Sequence, residues 1–246
     1  GGSLIQDVTS RRSLWFYLHN IQAAHKAGCK VQMYGCGIGP VLREQHRKLA
    51  ARVLNACVDV ITLREPDSQK ELQSMGVTRP EVLLTADPAL TLPAASDDEI
   101  DSVLLRAGIP PRGNYLCFAL RNWKGFESKA PLFGQAAKYA YETYGLTPVF
   151  AAVEKHLDPG AGRLAAAGLD IPHYFLDDAG SAGTIIGALS RMQAVVSMRL
   201  HALIFAAGQG IPLAGVVYDP KVSSFLRYIG QENFADLDAL TPDRLK

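Results

Sequence analysis

The feature that most constrains this chain is an alternation, sustained from residue 11 to residue 229, between segments of helical apolar period and short β-rich runs. Strands separated by helical segments specify a doubly wound, mainly parallel α/β sheet, and no repeat or low-complexity tract interrupts the pattern. Leu14, Tyr17, Leu18, Ile21 and Ala24 mark a helix over 11–26 that stops at Gly28. The run 31–35 reads as a strand leading into a glycine loop, Cys36-Gly37-Ile38-Gly39-Pro40, with a helix through Leu54 behind it. Strands are expected at 59–63, 82–85, 115–120, 147–152, 173–176, 194–197 and 212–217. Helices are expected from Pro66 onward, near 131–144, and at 181–190, 200–208 and 220–228.

Between Leu92 and Asp98 the composition turns to Pro, Ala, Ser and Asp, which places a linker there. Two Rossmann-like domains follow, 1–93 and 97–246. The opening Gly1-Gly2-Ser3-Leu4-Ile5 reads as the end of a strand and a glycine loop, so the first domain is expected to lack its first units.

With 48% hydrophobic residues in 246 the chain can bury a large core. Its 25 Lys and Arg against 24 Asp and Glu leave no global field for nucleic acid or an anionic membrane, so an anion site must be local. Cys29, Cys36, Cys57 and Cys117 show no CxxC or zinc spacing and are expected to be reduced, mostly buried thiols. No apolar run approaches the ~20 residues of a membrane span and no signal peptide opens the chain, which reads as cytoplasmic.

In open α/β sheets ligands sit beyond the carboxyl ends of the strands. That rule selects Gly35 to Gly39, Arg64, Asp87, Arg121 to Trp123, Arg199 with His201, and Asp219 with Lys221. Four strand ends thus bring a cation or imidazole to one rim, a pattern that a doubly or triply charged anion would explain. Arginine grips carboxylate or phosphate bidentately and lysine acts as a point charge. The alternative is that each cation pairs with a nearby carboxylate such as Glu65, Asp87 or Asp219. His201, two residues from Arg199 at the start of an apolar helix, is either an acid/base group at a cleft edge or a satisfied core histidine. Gly37 and Gly39 allow close backbone approach to a ligand or simply a tight turn. Ser3 and Gln6 could offer polar groups to a ligand or belong to a plain loop. Leu120-Arg121-Asn122-Trp123 joins a cation, an amide and an aromatic face, the mixture a sugar site uses, unless Trp123 packs on the core. No GxSxG elbow, Walker loop, HExxH or metal-ligand cluster is present, so neither a metal nor a cofactor is expected.

These segments carry a resemblance. GGSLIQDVTSRRS, YGCGIGP, ITLREPDS, LTADPAL, LRNW, SMRLHALIFAAGQGIP and VVYDPKV, in this order from residue 1 to about 229, resemble the polysaccharide pyruvyltransferases, in particular those that modify cell-wall polymers. The resemblance implies a two-domain fold of glycosyltransferase-B type, with a cleft that takes phosphoenolpyruvate and an acceptor sugar. It implies transfer of pyruvate as a ketal across two sugar hydroxyls, with Arg64, His201 and Lys221 handling phosphoenolpyruvate. Arg199 and Asp87 lie within matching motifs. The implied acceptor is a lipid- or nucleotide-linked saccharide, with peripheral membrane association through that acceptor. Family members carry a unit ahead of the glycine motif that this sequence lacks. A nucleotide-sugar glycosyltransferase and a non-catalytic sugar-binding module are the competing readings.

Overall fold

The computed structural model describes residues 3–8 and 10–245, and the elements counted below are those of the described residues. Gly1 and Gly2 of the opening motif lie outside them. The chain forms two compact units, Gly1–Pro88 and Ala89–Lys246. The junction therefore precedes the Pro/Ala/Ser/Asp stretch instead of falling within it, because that stretch belongs to the second unit. Ala95 N donates to Gly183 O at 2.9 Å, and residues 97–106 form a helix in which Glu99 reaches back to the Ser96 N–H at 3.1 Å.

The first unit runs β1 (Ser3–Ile5), α1 (Arg11–Lys26), β2 (Gln32–Ile38), α2 (Glu44–Cys57), β3 (Val60–Leu63), α3 (Pro66–Met75) and β4 (Glu81–Leu84). Its sheet is parallel throughout, in the order β1-β2-β3-β4. Each crossover steps the same way, and right-handed crossovers then put every helix on one face. Accordingly α1 packs on α2 and α2 on α3, and one core forms beneath them from Ile5, Leu14, Leu18, Met33, Leu54, Ile61, Leu63 and Leu72. On the other face Tyr34 and Leu83 remain 65% and 43% exposed.

The glycine loop expected after residue 35 is strand. β2 continues to Ile38 because it absorbs one extra residue: Met33 pairs with Ile61 but Cys36 with Leu63, three steps against two. Gly35 supplies the bulge, with φ of 54° and its N–H donated to Thr62 Oγ1 at 2.7 Å. The inserted residue resets the alternation of side chains, so Cys36 and Ile38 enter the core and Gly37 faces away from it. A Cβ on Gly35 would lie 2.2 Å from the Pro88 ring. Gly35→Ala should therefore destabilise the first unit by about 3 kcal/mol, the upper end for overpacking because the left-handed backbone adds strain. Urea unfolding followed by circular dichroism measures this, and an unchanged midpoint would contradict it.

The second unit comprises α4 (Asp97–Arg106), β5 (Tyr115–Ala119), α5 (Phe126–Tyr144), β6 (Thr147–Ala151), α6 (Pro159–Ala165), β7 (Tyr174–Leu176), α7 (Ala182–Ser190), β8 (Ala194–Ser197), α8 (Leu200–Gly208), β9 (Leu213–Val217), α9 (Pro220–Tyr228), β10 (Phe234–Asp236) and α10 (Pro242–Leu245). Its parallel sheet has the order β10-β9-β8-β5-β6-β7. The chain winds from β5 outward to β7, returns to β8 on the other side of β5, and winds outward again, which is the strand order of a Rossmann fold. Helices now cover both faces and two cores result. One gathers Leu104, Ile186, Leu189, Leu203 and Phe225, and the other Phe118, Phe126, Phe133 and Phe150. The helix expected near 131 begins at Phe126, with Pro131 inside it. At the sixth residue Pro131 forfeits a single backbone bond, too little to move the start.

Candidate active site

Strand order locates the site in the second unit. β5 and β8 are neighbours that wind in opposite directions, and the crevice beyond such a pair of carboxyl ends is where open α/β sheets bind ligands. Ser197 ends β8 fully buried, donating to Ala119 O on β5 at 3.1 Å and accepting from Arg199 N at 2.8 Å. Its hydroxyl ties the two strand ends together and turns the chain so that Arg199 caps α8.

The Arg199 guanidinium is clasped by Asp158, from the connection after β6. Nε lies 2.9 Å from each carboxylate oxygen, and Nη2 bonds Oδ1 as well. Asp158 is buried and also accepts from Val153 N at 3.1 Å and Glu154 N at 2.8 Å. His201 follows in the first turn of α8, exposed, with its ring 6.0 Å from Phe205. It is thus a rim group and not a core histidine.

Beyond β5, the Arg121 guanidinium stacks 4.9 Å from the Trp123 ring and 5.4 Å from the Tyr218 ring, and donates to Tyr218 Oη at 3.0 Å. Beyond β9, Lys221 Nζ sits 3.4 Å from Asp219 Oδ2 and 5.8 Å above Tyr218. Asp219 caps α9 by accepting from Lys221 N at 3.0 Å. Tyr218 is therefore the hub on which Arg121, Trp123 and Lys221 converge.

In the first unit Arg64 is 5% exposed and lies between two carboxylates. Nη1 donates to Asp87 Oδ2 at 2.8 Å and Nε to Glu65 Oε2 at 3.2 Å. Glu65 is held by Ser68, whose Oγ accepts from Ile38 N at 2.7 Å. Ser3 pairs with Gly37 across β1 and β2, and a Cβ on Gly37 would meet Ser3 Oγ at 2.9 Å and Arg64 Nη2 at 3.3 Å. The bare backbone of Gly37 is what lets these groups approach. Gly39, with φ of 85°, packs under the Glu71 side chain. Gln6 is buried and closes a turn by accepting from Val8 N at 2.9 Å.

Two expectations change. The cations occupy two sheet rims, Arg64 on the first unit and the others on the second. Each of Arg64, Arg199 and Lys221 has a carboxylate partner, so the ion-pair alternative describes all three, with Asp158 as the unforeseen partner of Arg199. A second missed pair is Asp7 with His46: Nδ1 lies 2.7 Å from Asp7 Oδ2, which also accepts from Arg43 N, while Oδ1 accepts from Leu42 N. Burial raises the Asp7 pKa, but the bonds from Leu42, His46 and Arg43 outweigh it and hold the carboxyl below the ordinary value. Cys36, inside the glycine motif, is pushed up to about 11 by burial and stays a protonated thiol.

The fold has solved counterparts. UDP-GlcNAc 2-epimerase from Neisseria meningitidis aligns with TM-score 0.55 and 12% identity over 84% of this chain. This chain spans 58% of that epimerase's length. A family 9 glycosyl transferase from Veillonella parvula aligns with TM-score 0.52 and 13% identity, covering 96% of this chain and 78% of that one. Both likenesses concern the fold, α/β with two Rossmann-like domains of the glycosyltransferase-B kind. No curated protein shows significant similarity. The family model for polysaccharide pyruvyl transferase matches residues 1–220, most of the chain, and the protein therefore belongs to the polysaccharide pyruvyl transferase family.

Proposed function

We propose that the protein transfers the pyruvyl group of phosphoenolpyruvate to two hydroxyls of one sugar in a cell-wall polysaccharide precursor, forming a ketal and releasing phosphate. The observation that carries this reading is the cluster at the β5/β8 crevice: Arg121, Arg199 and His201, with Lys221 on the adjoining strand end. Phosphoenolpyruvate presents a carboxylate and a phosphate, which need separate cationic grips, and planar arginine fits either group. The methylene carbon takes a proton, giving an oxocarbenium-like centre at C2. One sugar hydroxyl attacks that centre, the C–O bond to phosphate breaks, and the second hydroxyl closes the ketal. Of the two hydroxyl protons displaced, one balances the proton now on the methyl group and the other leaves with phosphate. His201 is the group we assign to proton transfer, and the cations stabilise charge on the departing phosphate. Phosphoenolpyruvate is a substrate here and no cofactor is called for. A lipid- or nucleotide-linked acceptor is consistent with the reading, as is a cytoplasmic enzyme that meets the membrane only through its acceptor.

Phosphate release from phosphoenolpyruvate, dependent on an added saccharide acceptor, tests the proposal, with product mass as the second readout. A panel of lipid- and nucleotide-linked sugars that yields neither would overturn it. Within the same reading Lys221→Ala and Arg64→Ala each weaken phosphoenolpyruvate binding by calorimetry. Because Arg64 is already answered by Asp87 and Glu65, unchanged affinity in a less stable Arg64→Ala protein would make it a structural clasp. The glycosyltransferase-B architecture also suits a nucleotide sugar, and thermal protection separates the two, since a ligand at 100 times its Kd stabilises by about 2.7 kcal/mol. Phosphoenolpyruvate should protect, and protection by a nucleotide without protection by phosphoenolpyruvate would favour the nucleotide-sugar reading.

A further inference from the structure

Trp123 is 41% exposed, although a tryptophan at the end of a buried central strand could have been turned into the core. Its position is set by the side chains already packed on it: the Arg121 guanidinium 4.9 Å from its centroid, and the Tyr218 ring at 4.9 Å, tilted by 57°. Contacts of this kind fix the indole in one orientation before any ligand arrives, so little side-chain entropy remains to be lost on binding. The rest of the indole borders an open depression of about 650 Å³ lined by Asn122, Trp123, Lys124, Gly125, Glu127 and Ser128. That volume lies in the range of small-molecule sites.

The lining points to a class of ligand. Lys124 and Glu127 cancel in charge, so the depression has no bias toward an anion, unlike the neighbouring crevice with Arg121, Arg199 and Lys221. What remains is a rigid aromatic surface beside an amide, a carboxylate and a hydroxyl. A pyranose ring matches this combination, with an axial C–H face that desolvates against an indole and equatorial hydroxyls that bond to amide and carboxylate groups. We infer that the depression beside Trp123 is a carbohydrate subsite that seats a neutral pyranose residue of the acceptor. The inference rests on the pyruvyl-transfer reading for the word acceptor, but not for the sugar.

The chain contains two tryptophans, Trp15 and Trp123. Trp15→Phe therefore leaves Trp123 as the sole indole reporter, and Trp15 lies on α1 of the other unit. The fluorescence of this variant is titrated with chitobiose, lactose and mannobiose in the absence of phosphoenolpyruvate, with UMP as a stacking control. A saturable change with at least one disaccharide, weakened about tenfold by adding Asn122→Ala, which removes one well-placed hydrogen-bonding group, is expected. No saturable change with any of the three, or a response to UMP alone, overturns the subsite. In the wild-type background, Asn122→Ala should raise the acceptor KM and leave phosphoenolpyruvate affinity unchanged, while Trp123→Ala, which also frees the Arg121 guanidinium, should raise the acceptor KM. Exposed Asn122 keeps that test valid if Trp123→Ala loosens the packing. Sugar binding without phosphate release would refute the transfer reading and keep the subsite. Phosphate release with an unchanged acceptor KM in both variants would do the reverse.

Discussion

Asp158→Ala should destabilise the second unit by about 3–5 kcal/mol, the range for removing one partner of a buried ion pair. The cost has two sources. Arg199 keeps a charge whose side chain is only 14% exposed, with no carboxylate to answer it. The amides of Val153 and Glu154 also lose their acceptor. Chemical denaturation of the single variant measures the total. Asp158→Ala combined with Arg199→Met should be less destabilised than Asp158→Ala alone, because the stranded charge is gone, and the double-mutant cycle isolates the coupling. Additive effects would show that the clasp contributes nothing beyond its parts.

His201→Ala should lower kcat by about 10²–10⁴-fold, the contribution of a positioned general acid or base. Phosphoenolpyruvate affinity should be retained, since the proposed mechanism gives the anion contacts to Arg121, Arg199 and Lys221. Single-turnover phosphate release and calorimetry on the same variant separate chemistry from binding. Near-normal turnover would remove His201 from the mechanism. The exposed position of the imidazole in the first turn of α8 makes the substitution mild for folding, so a lost rate is not readily mistaken for a lost structure.

Helices with a complete apolar stripe were legible in the sequence to the residue: the expected 11–26 is α1, and 200–208 and 220–228 are α8 and α9. Elements of loop-like composition were not. The helix at Asp97–Arg106 lay hidden under a loop-like composition, although Ser96 and Glu99 have the spacing of a capping box. β2 was cut short because three glycines in five residues read as a loop; one of them is a bulge and another makes room for Arg64 and Ser3. The strand-end rule selected Arg64, Arg121, Arg199, His201 and Lys221 because each lies within four residues of the end of its strand. Asp158 escaped since it lies seven residues past Ala151, and Asp7 and His46 because their pairing joins segments far apart in the chain. Tyr218 lay within reach of the rule, one residue past β9, but a tyrosine between two charged groups carries no signal until its neighbours are placed.

The stitch at Ser197 bears on how the chain finds its alignment during folding. A strand with one wet face cannot slip by a single residue without turning its apolar side chains outward, and this safeguard is absent from β5, where Tyr115 through Ala119 are all buried. Polar side chains at the two ends of the β5/β8 pair stand in for it: Gln193 accepts from Tyr115 N at one end, and Ser197 donates to Ala119 O at the other. A slip of one position would break both bonds and carry Arg199 and His201 about 3.3 Å along the crevice. The two polar side chains that keep the central strands from sliding thus also fix where Arg199 and His201 emerge beyond β8.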